Sequence, residues 1–393
     1  MQNINDKLNF IRQKTKSEKI KIMIIGLGSV GNYLLDYLLS SVNPEIDLCV
    51  VGRCINRLQS DVNINTVAAL IRGQNRNHIS IIDNVNLDNV DTIVSCIDTY
   101  APDIIVNSSR AYSGLKYGSI SWKTVRAYGI WTPLSIKYIR NIMLAYERSH
   151  SNAIVINTSY SDATIPWLKS AGMYYPDFGS GNLNHLIPRI KLAVSEMMHI
   201  EDYWNIDVTL ATSHFHDVVI SKEGHTENCN PLLSIKYGDK DLNLNHKEIF
   251  SKCKIPMPVD SKRNMMNASS NFEIIDGIIR AVKGHEKIKL HCPGVFGEIG
   301  GYPVQLDGNS NVPKAYIDNS IFSIDDMRRK NRESIYLDGI ENIANGALIY
   351  TDELLNKVYR CFAVKLPKIV EFDRIDDIAD LLIDKIILKY KES

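Results

Sequence analysis

Apolar residues in this chain follow two rhythms. Short unbroken runs rich in isoleucine and valine alternate with stretches in which apolar side chains recur every three or four positions. "IKIMIIG" (20–26) reads as a strand covered on both faces, and "IDLCVVG" (46–52) as a second. Between them Val30, Leu34, Leu35, Leu38 and Leu39 mark one face of a helix. A helix is expected over 56–72, a third strand over 79–83, a fourth over 90–98 ("VDTIVSCID"), a helix over 131–150 and a strand in "NAIVINTSYSD" (152–162). Strand–helix alternation of this kind predicts a parallel sheet wound with helices. The stretch 101–131, with scattered glycine and aromatic residues, reads as an irregular loop or cofactor cover.

Beyond about residue 165 the pattern becomes mixed. Helices are expected in "IPWLKSAG", "LIPRIKLAVSEMM" and "NASSNFEIIDGIIRAVKG", and an alternating strand in "IDVTLATSHFHDVVIS". "KIKLHCPG" and "GGYPVQL" read as strands, 322–346 as largely helical, and "GALIYTDELLNKVYRCF" as strand into helix. The C-terminal stretch from 371 has an apolar stripe that docks on the body or a partner. The expected fold is α/β: a Rossmann doubly wound parallel sheet at 18–158, followed by an α+β substrate and dimerisation lobe at 159–393.

Composition narrows the function classes. Of 393 residues, Lys plus Arg number 45 and Asp plus Glu 45, a balance that argues against nucleic-acid or anionic-membrane binding. No apolar run reaches the length of a membrane span, and the polar N-terminus has no signal-peptide core. The 7 cysteines are scattered without a CxxC pair, which fits a reducing cytoplasm and no structural zinc.

The chemistry starts at "GLGSVG". Gly26 permits a tight turn, Gly28 lets backbone approach a phosphate, and Gly31 lets helix pack on strand. With Ser29 and Val30 they form a dinucleotide-binding turn at a helix N-terminus. At the tip of the second strand, where an acidic residue would bind the ribose of NAD, stand Gly52 and Arg53, with Arg57 close behind. Guanidinium groups suit a 2′-phosphate, so NADP is the expected cofactor, with NAD also possible. Cys96, at the end of the expected fourth strand, is placed among the cofactor-lining residues.

The order of these parts resembles the lactate/malate dehydrogenase superfamily over roughly 20–355. "SNAIVINTSYSD" is similar to the strand whose asparagine touches nicotinamide and substrate, which gives that role to Asn157. "KSAGMYYPDFGSGNLNHLIPR" resembles the segment bearing the catalytic aspartate and a substrate arginine, and "TLATSHFHD" the strand end that delivers the catalytic histidine. Two departures stand out. Asn184 replaces the dyad aspartate, so it orients an imidazole without supplying charge, and Arg189 falls two places late. The start of the chain also resembles opine-type dehydrogenases.

These residues imply an NADP(H)-dependent oxidoreductase moving a hydride to or from a small carboxylate-bearing oxo or hydroxy compound. His214 donates the proton, and Arg189 or Arg126 grips the carboxylate. The resembling family implies a homodimer or homotetramer. An imine reductase of opine or saccharopine type and a non-catalytic dinucleotide sensor are the alternatives. A turnover assay with paired amines and oxo acids separates the first, and an inert His214→Ala variant identifies the second. On one strand His214 and His216 share a face and form a possible metal pair; no metal is assigned. Asn264, His291 and Cys292 are weaker candidates near the site.

Overall fold

The computed structural model describes residues 3–41, 46–74, 77–109, 111, 120, 122–258 and 260–389. The chain opens with α1 (Ile4–Lys14), β1 (Ile20–Ile25), α2 (Ser29–Ser40), β2 (Ile46–Val51), α3 (Ile55–Ile71), β3 (Ile79–Ile82), α4 (Val90–Tyr100) and β4 (Ile104–Asn107). It continues through α5 (Trp122–Val125), α6 (Thr132–Arg148), β5 (Ile154–Asn157), α7 (Ser161–Ser170), β6 (Phe178–Gly179) and α8 (Asn182–Met198). The six strands form one parallel sheet in the order β3-β2-β1-β4-β5-β6. This is the doubly wound dinucleotide-binding arrangement, with the order reversing between β1 and β4. The sixth strand comes from 178–179, past residue 158.

Alternation explains why β1 and β2 are apolar on both faces apart from Lys21 and Asp47 near their starts. Ile22, Ile24, Leu48 and Val50 join a core with α1, α2 and α3, whereas Met23, Ile25, Cys49 and Val51 join one with α4 and α6. With helices on both faces, only Lys21 and Asp47 on these strands are partly open to water.

Three expectations are corrected. Residues 90–98 form helix, not strand: Ile93, Cys96, Ile97 and Tyr100 are buried at helical spacing, and Asn89 caps the start by accepting from the Asp91 N–H. The true fourth strand, 104–107, lies inside the stretch expected to be irregular. Of that stretch, 110, 112–119 and 121 lie outside the described residues, and with them the expected cofactor cover.

The second half supplies β7 (Ile206–Ala211), α9 (His214–Glu223), β8 (Leu232–Tyr237), β9 (Lys240–Asp241), α10 (His246–Lys252), α11 (Asn264–Lys283), β10 (Lys287–Pro293), β11 (Gly301–Asp307) and β12 (Lys314–Ile317). The chain then forms α12 (Ile324–Leu337), β13 (Ile340–Ala344), β14 (Ala347–Tyr350), α13 (Asp352–Phe362), β15 (Ile369–Glu371) and α14 (Ile375–Leu382). Three small antiparallel sheets result. The second correction is here: "IDVTLATSHFHDVVIS" is a strand only to Ala211, and Ser213 starts a helix. The third is 322–346, which ends as β13 after α12. The C-terminal stripe docks on the body, where Arg140 of α6 binds Asp376 at 2.8 Å.

Helix α1, which polarity alone did not reveal, is seated by two buried cations. Lys7 Nζ donates to both oxygens of Asp177 at 2.9 and 2.8 Å. Arg12 donates to the carbonyls of Val282, Ala281, Gly308 and Ser310, closing the C-terminus of α11.

Candidate active site

The glycine turn has the geometry that a pyrophosphate needs. Gly26 has φ +93°, and a Cβ there would lie 2.8 Å from Ser109 Cβ; at Gly31 a Cβ would lie 2.3 Å from the Gly26 carbonyl. At Gly28 a Cβ would meet nothing within 4 Å, so this backbone faces open space. Gly28 is also the N-cap of α2, which has no side-chain cap, leaving the positive helix end toward that space. Ser29 is bound through its hydroxyl by Asn264 Nδ2 at 2.5 Å, which ties the turn to α11. Val30 lies in the first turn of α2.

At the tip of β2, Gly52 packs on Leu58, and the Arg53 and Arg57 side chains are exposed. Arg57 has only a loose partner, Asp61 at 3.9 Å. Cys96 does not line this cleft. It sits on α4 beneath the sheet, donates to the Thr92 carbonyl at 3.1 Å, and burial pushes its thiol up to about 11. Asn157 lies at the end of β5 as expected, but its amide is turned inward. It accepts from Asn107 at 2.9 Å and donates to Ser159 O, Ser161 Oγ and Thr164 Oγ1. Its side chain is thus a brace between β4, β5 and α7.

His214 is the first residue of α9. Its Nδ1 lies 2.7 Å from Asp338 Oδ2, and its backbone N–H donates to Asp162 Oδ1 at 3.0 Å. Asp338, fully buried between α12 and β13, also accepts from the Tyr160 hydroxyl at 2.8 Å and the Tyr128 N–H at 2.6 Å. With the carboxylate as acceptor, Nδ1 is the donating nitrogen of the ring, which fixes its tautomer and orientation. Burial pulls the imidazole pKa down; the charge and hydrogen bond of Asp338, with Asp162 and Asp217, more than reverse this, and it stands above its ordinary value.

Asn184 therefore has no part in this dyad. Its Nδ2 donates to Glu273 at 2.6 Å. The acidic partner arrives from Asp338, over a hundred residues later. No motif marks it: an Asp before Gly at a helix end is ordinary turn chemistry.

The helical setting also dissolves the expected histidine pair. His216 turns to Ser334 Oγ at 2.8 Å and the Glu227 carbonyl at 3.1 Å, and burial lowers it to about 4. Two positions along a helix do not share a face. His291 accepts from the Leu210 N–H at 3.3 Å and burial lowers it to about 3; it braces β10 against β7. Cys292 is buried in the core.

Neither expected arginine is idle. Arg126 is paired with Glu223 at 2.7 Å and Glu227 at 2.5 Å. Those carboxylates and His225 bring ligand atoms within 4.8 Å of one another, but Arg126 is already paired with both acids. Arg189 does not start a helix; it lies buried within α8, after the internal Pro188. It donates to the Ser221 and Cys253 carbonyls, both at 3.2 Å, and to Met257 Sδ at 2.9 Å.

What sets this region apart is its unspent polar atoms. Asp162 Oδ2, Asp217 Oδ1, His185 Nε2, Arg189 Nε, Arg263 Nε and Thr212 Oγ1 are buried with no hydrogen-bond partner among the described residues. Buried polar groups are ordinarily satisfied. Burial raises Asp162 to about 6 and Asp217 to about 7, against the pull of His214 and, for Asp217, of Arg189 and Arg263. Burial and the charges of Arg263 and Arg189 drive His185 down to about 3. Asp162, Asp217 and Arg263 stood outside the expected catalytic set. An Asp in a first helical turn also reads as an ordinary helix-end charge. A separate cleft of about 520 Å³ lies between α1 and the end of α11, lined by Lys16, His285 and Asn309. It is remote from the glycine turn and shares no residue with the cluster.

No protein-family model matches the chain, and no curated protein sequence matches it. Solved structures do. Malate dehydrogenase from Cryptosporidium parvum superposes with a TM-score of 0.53 at 14% identity, covering 81% of this chain and 98% of its own. Lactate dehydrogenase from Eimeria maxima, solved with NADH and oxamate, gives 0.51 at 12%, covering 81% and 92%. Malate dehydrogenase from Plasmodium falciparum, solved with NADH, gives 0.51 at 13%, covering 88% and 99%. The fold of this chain is that of the lactate and malate dehydrogenases: a six-stranded parallel sheet with flanking helices, joined to a region of small antiparallel sheets.

Proposed function

We propose that this chain is a nicotinamide-dinucleotide-dependent oxidoreductase acting on a small carboxylate-bearing oxo or hydroxy compound. One observation carries the reading: a buried imidazole, locked through Nδ1 by Asp338, shares a cluster with Arg263, whose chain neighbour Asn264 bonds Ser29 of the open glycine turn. Gly26, Gly28, Ser29, Val30 and Gly31 would hold the pyrophosphate, and the cofactor would supply or accept the hydride. Protonated His214 holds the proton that a developing oxyanion requires, and Asp338 stabilises the imidazolium before transfer. The orphaned N–H groups of Arg189 and Arg263 would receive the carboxylate. Orphaned groups of both kinds at His214 favour turnover over sensing, because a cofactor sensor needs no second ligand there.

Arg53 and Arg57, with no acid at the tip of β2, support NADP(H) as the preferred cofactor. Exposed Ile64, Val67 and Ile71 on one face of α3 support self-association as a homodimer or homotetramer. The seven unpaired cysteines support a reducing, cytoplasmic setting. Among the described residues, no helix is long and apolar enough to cross a membrane. The test is a fluorescence titration with NADPH and with NADH. Saturable binding that Gly28→Val abolishes is expected; no binding of either nucleotide overturns the proposal.

A further inference from the structure

We propose that the molecule bound against His214 carries a protonated nitrogen as well as a carboxylate, and that Asp162 and Asp217 receive that nitrogen. This rests on the oxidoreductase reading of the same site and adds the substrate's second charge.

The argument starts from unspent acceptors. Asp162, 1% exposed in the first turn of α7, gives Oδ1 to the His214 N–H, while Oδ2 meets no donor among the described residues. Asp217, 5% exposed and three residues beyond His214 on α9, has Oδ1 equally bare. Such oxygens demand donors, and a cationic N–H is the strongest kind.

The second observation is that donors of the protein's own stand nearby and do not close on them. Arg189, 4% exposed, and Arg263 each leave a buried Nε without an acceptor. Both guanidiniums are near enough to favour the charged form of Asp217. Yet no ion pair joins either of them to Asp217 among the described residues, and Asp217 Oδ1 has no hydrogen-bond partner there. Arg189 is held off by the Ser221 and Cys253 carbonyls and Met257. Opposite charges thus stand apart across the cluster.

A plain oxo acid answers only half of this arrangement. Its carboxylate suits the guanidinium N–H groups but brings another negative charge beside Asp162, Asp217 and Asp338. A compound with an ammonium group near its carboxylate answers both halves. The elevated titration of the two acids fits, since a bound ammonium draws both toward carboxylate. Affinity for such a compound therefore rises as pH passes from about 6 to about 7.

The test uses isosteric pairs in which ammonium replaces methyl: 3-amino-2-hydroxypropanoate against 2-hydroxybutanoate, and 4-amino-2-hydroxybutanoate against 2-hydroxypentanoate. Each is titrated calorimetrically into the full chain loaded with NADP+ or NAD+, with absorbance at 340 nm following turnover. The ammonium member of at least one pair is expected to bind about tenfold tighter or more. That advantage should collapse in Asp217→Asn and Asp162→Asn, both of which keep cofactor binding. The proposal is overturned if the methyl members bind as well or better, if a cofactor-loaded chain takes neither member, or if the preference survives both substitutions. Binding of Mg2+ or Zn2+ alone that both substitutions remove overturns it too, by making the carboxylates metal ligands. Should a variant fail to fold, the wild-type comparison and its pH dependence decide. Absence of cofactor binding defeats the parent reading; cofactor binding with methyl preference defeats only this one.

Discussion

Around α1, Lys7 and Arg12 are buried at 1% and 6% exposure, and their donors are spent: two on the oxygens of Asp177, the rest on carbonyls at the end of α11 and the loop after β11. Around His214, four ionisable side chains, Asp162, Asp217, Arg189 and Arg263, each leave one buried atom unspent. Both regions bury ions at considerable desolvation cost. The first closes its hydrogen bonds internally and holds the architecture. The second is complete only on the Asp338 side, as a site awaiting a ligand would be.

The sharpest break of this contrast is at His214. Replacement by Ala should lower the rate of hydride transfer by roughly 10²–10⁴-fold while leaving nucleotide affinity nearly intact. Asp338→Asn should do nearly as much, and its pH–rate profile should shift to lower pH as the imidazole loses the partner that raises it. Unchanged turnover in both variants would remove the dyad from the mechanism.

Next in size is Lys7→Met, which strands Asp177 in the core and should cost about 3–5 kcal/mol in chemical denaturation. Nucleotide binding by the folded fraction should not change. Burial lowers the Lys7 pKa, but the Asp177 charge and hydrogen bond outweigh it and leave it raised. The pair's contribution is therefore full below the ordinary lysine value of 10.5 and is lost as pH rises through the folded value. A variant as stable as the parent at pH 7 would count against a structural role.

Asp217→Asn reverses the sign. Its folded pKa, about 7, lies above the ordinary 3.8, so the folded chain loses stability as pH rises between the two. Asn should stabilise the protein by on the order of 1–2 kcal/mol at pH 8 and by nearly nothing at pH 4, while weakening ligand binding. Thermal melts at the two pH values decide it; a loss at pH 8 would mean that the charged form is already satisfied. The smallest effect is Arg53→Ala, expected to weaken NADPH about tenfold and NADH hardly at all. Equal losses would refer the residue to general electrostatics.

How much of this was legible in the sequence follows from how local each signal is. The turn at 26–31 and its flanking strand and helix are contiguous, so spacing alone located them. The strand assigned to 90–98 failed because a short apolar run fits either period; burial at 93, 96, 97 and 100 decided for helix. His214 was singled out from its neighbours, but its helical setting was not, because Ser213 is a weak mark against a preceding β-rich run. Asp338 was invisible: it acts at a separation of 124 residues, and no local pattern encodes a contact made by packing α12 onto α9. Asn157 shows the converse, a residue at the expected strand end whose side chain is bonded inward.

The seating of α1 has a consequence for biosynthesis. Arg12 is translated 269 to 298 positions ahead of its carbonyl partners. At a translation rate of about 5–20 residues per second, α1 waits roughly 15–60 s before its dock exists. During that interval its apolar face, Ile4, Leu8 and Ile11, is open to chaperones. A segment made this far ahead of its dock is locked only once the dock has been made.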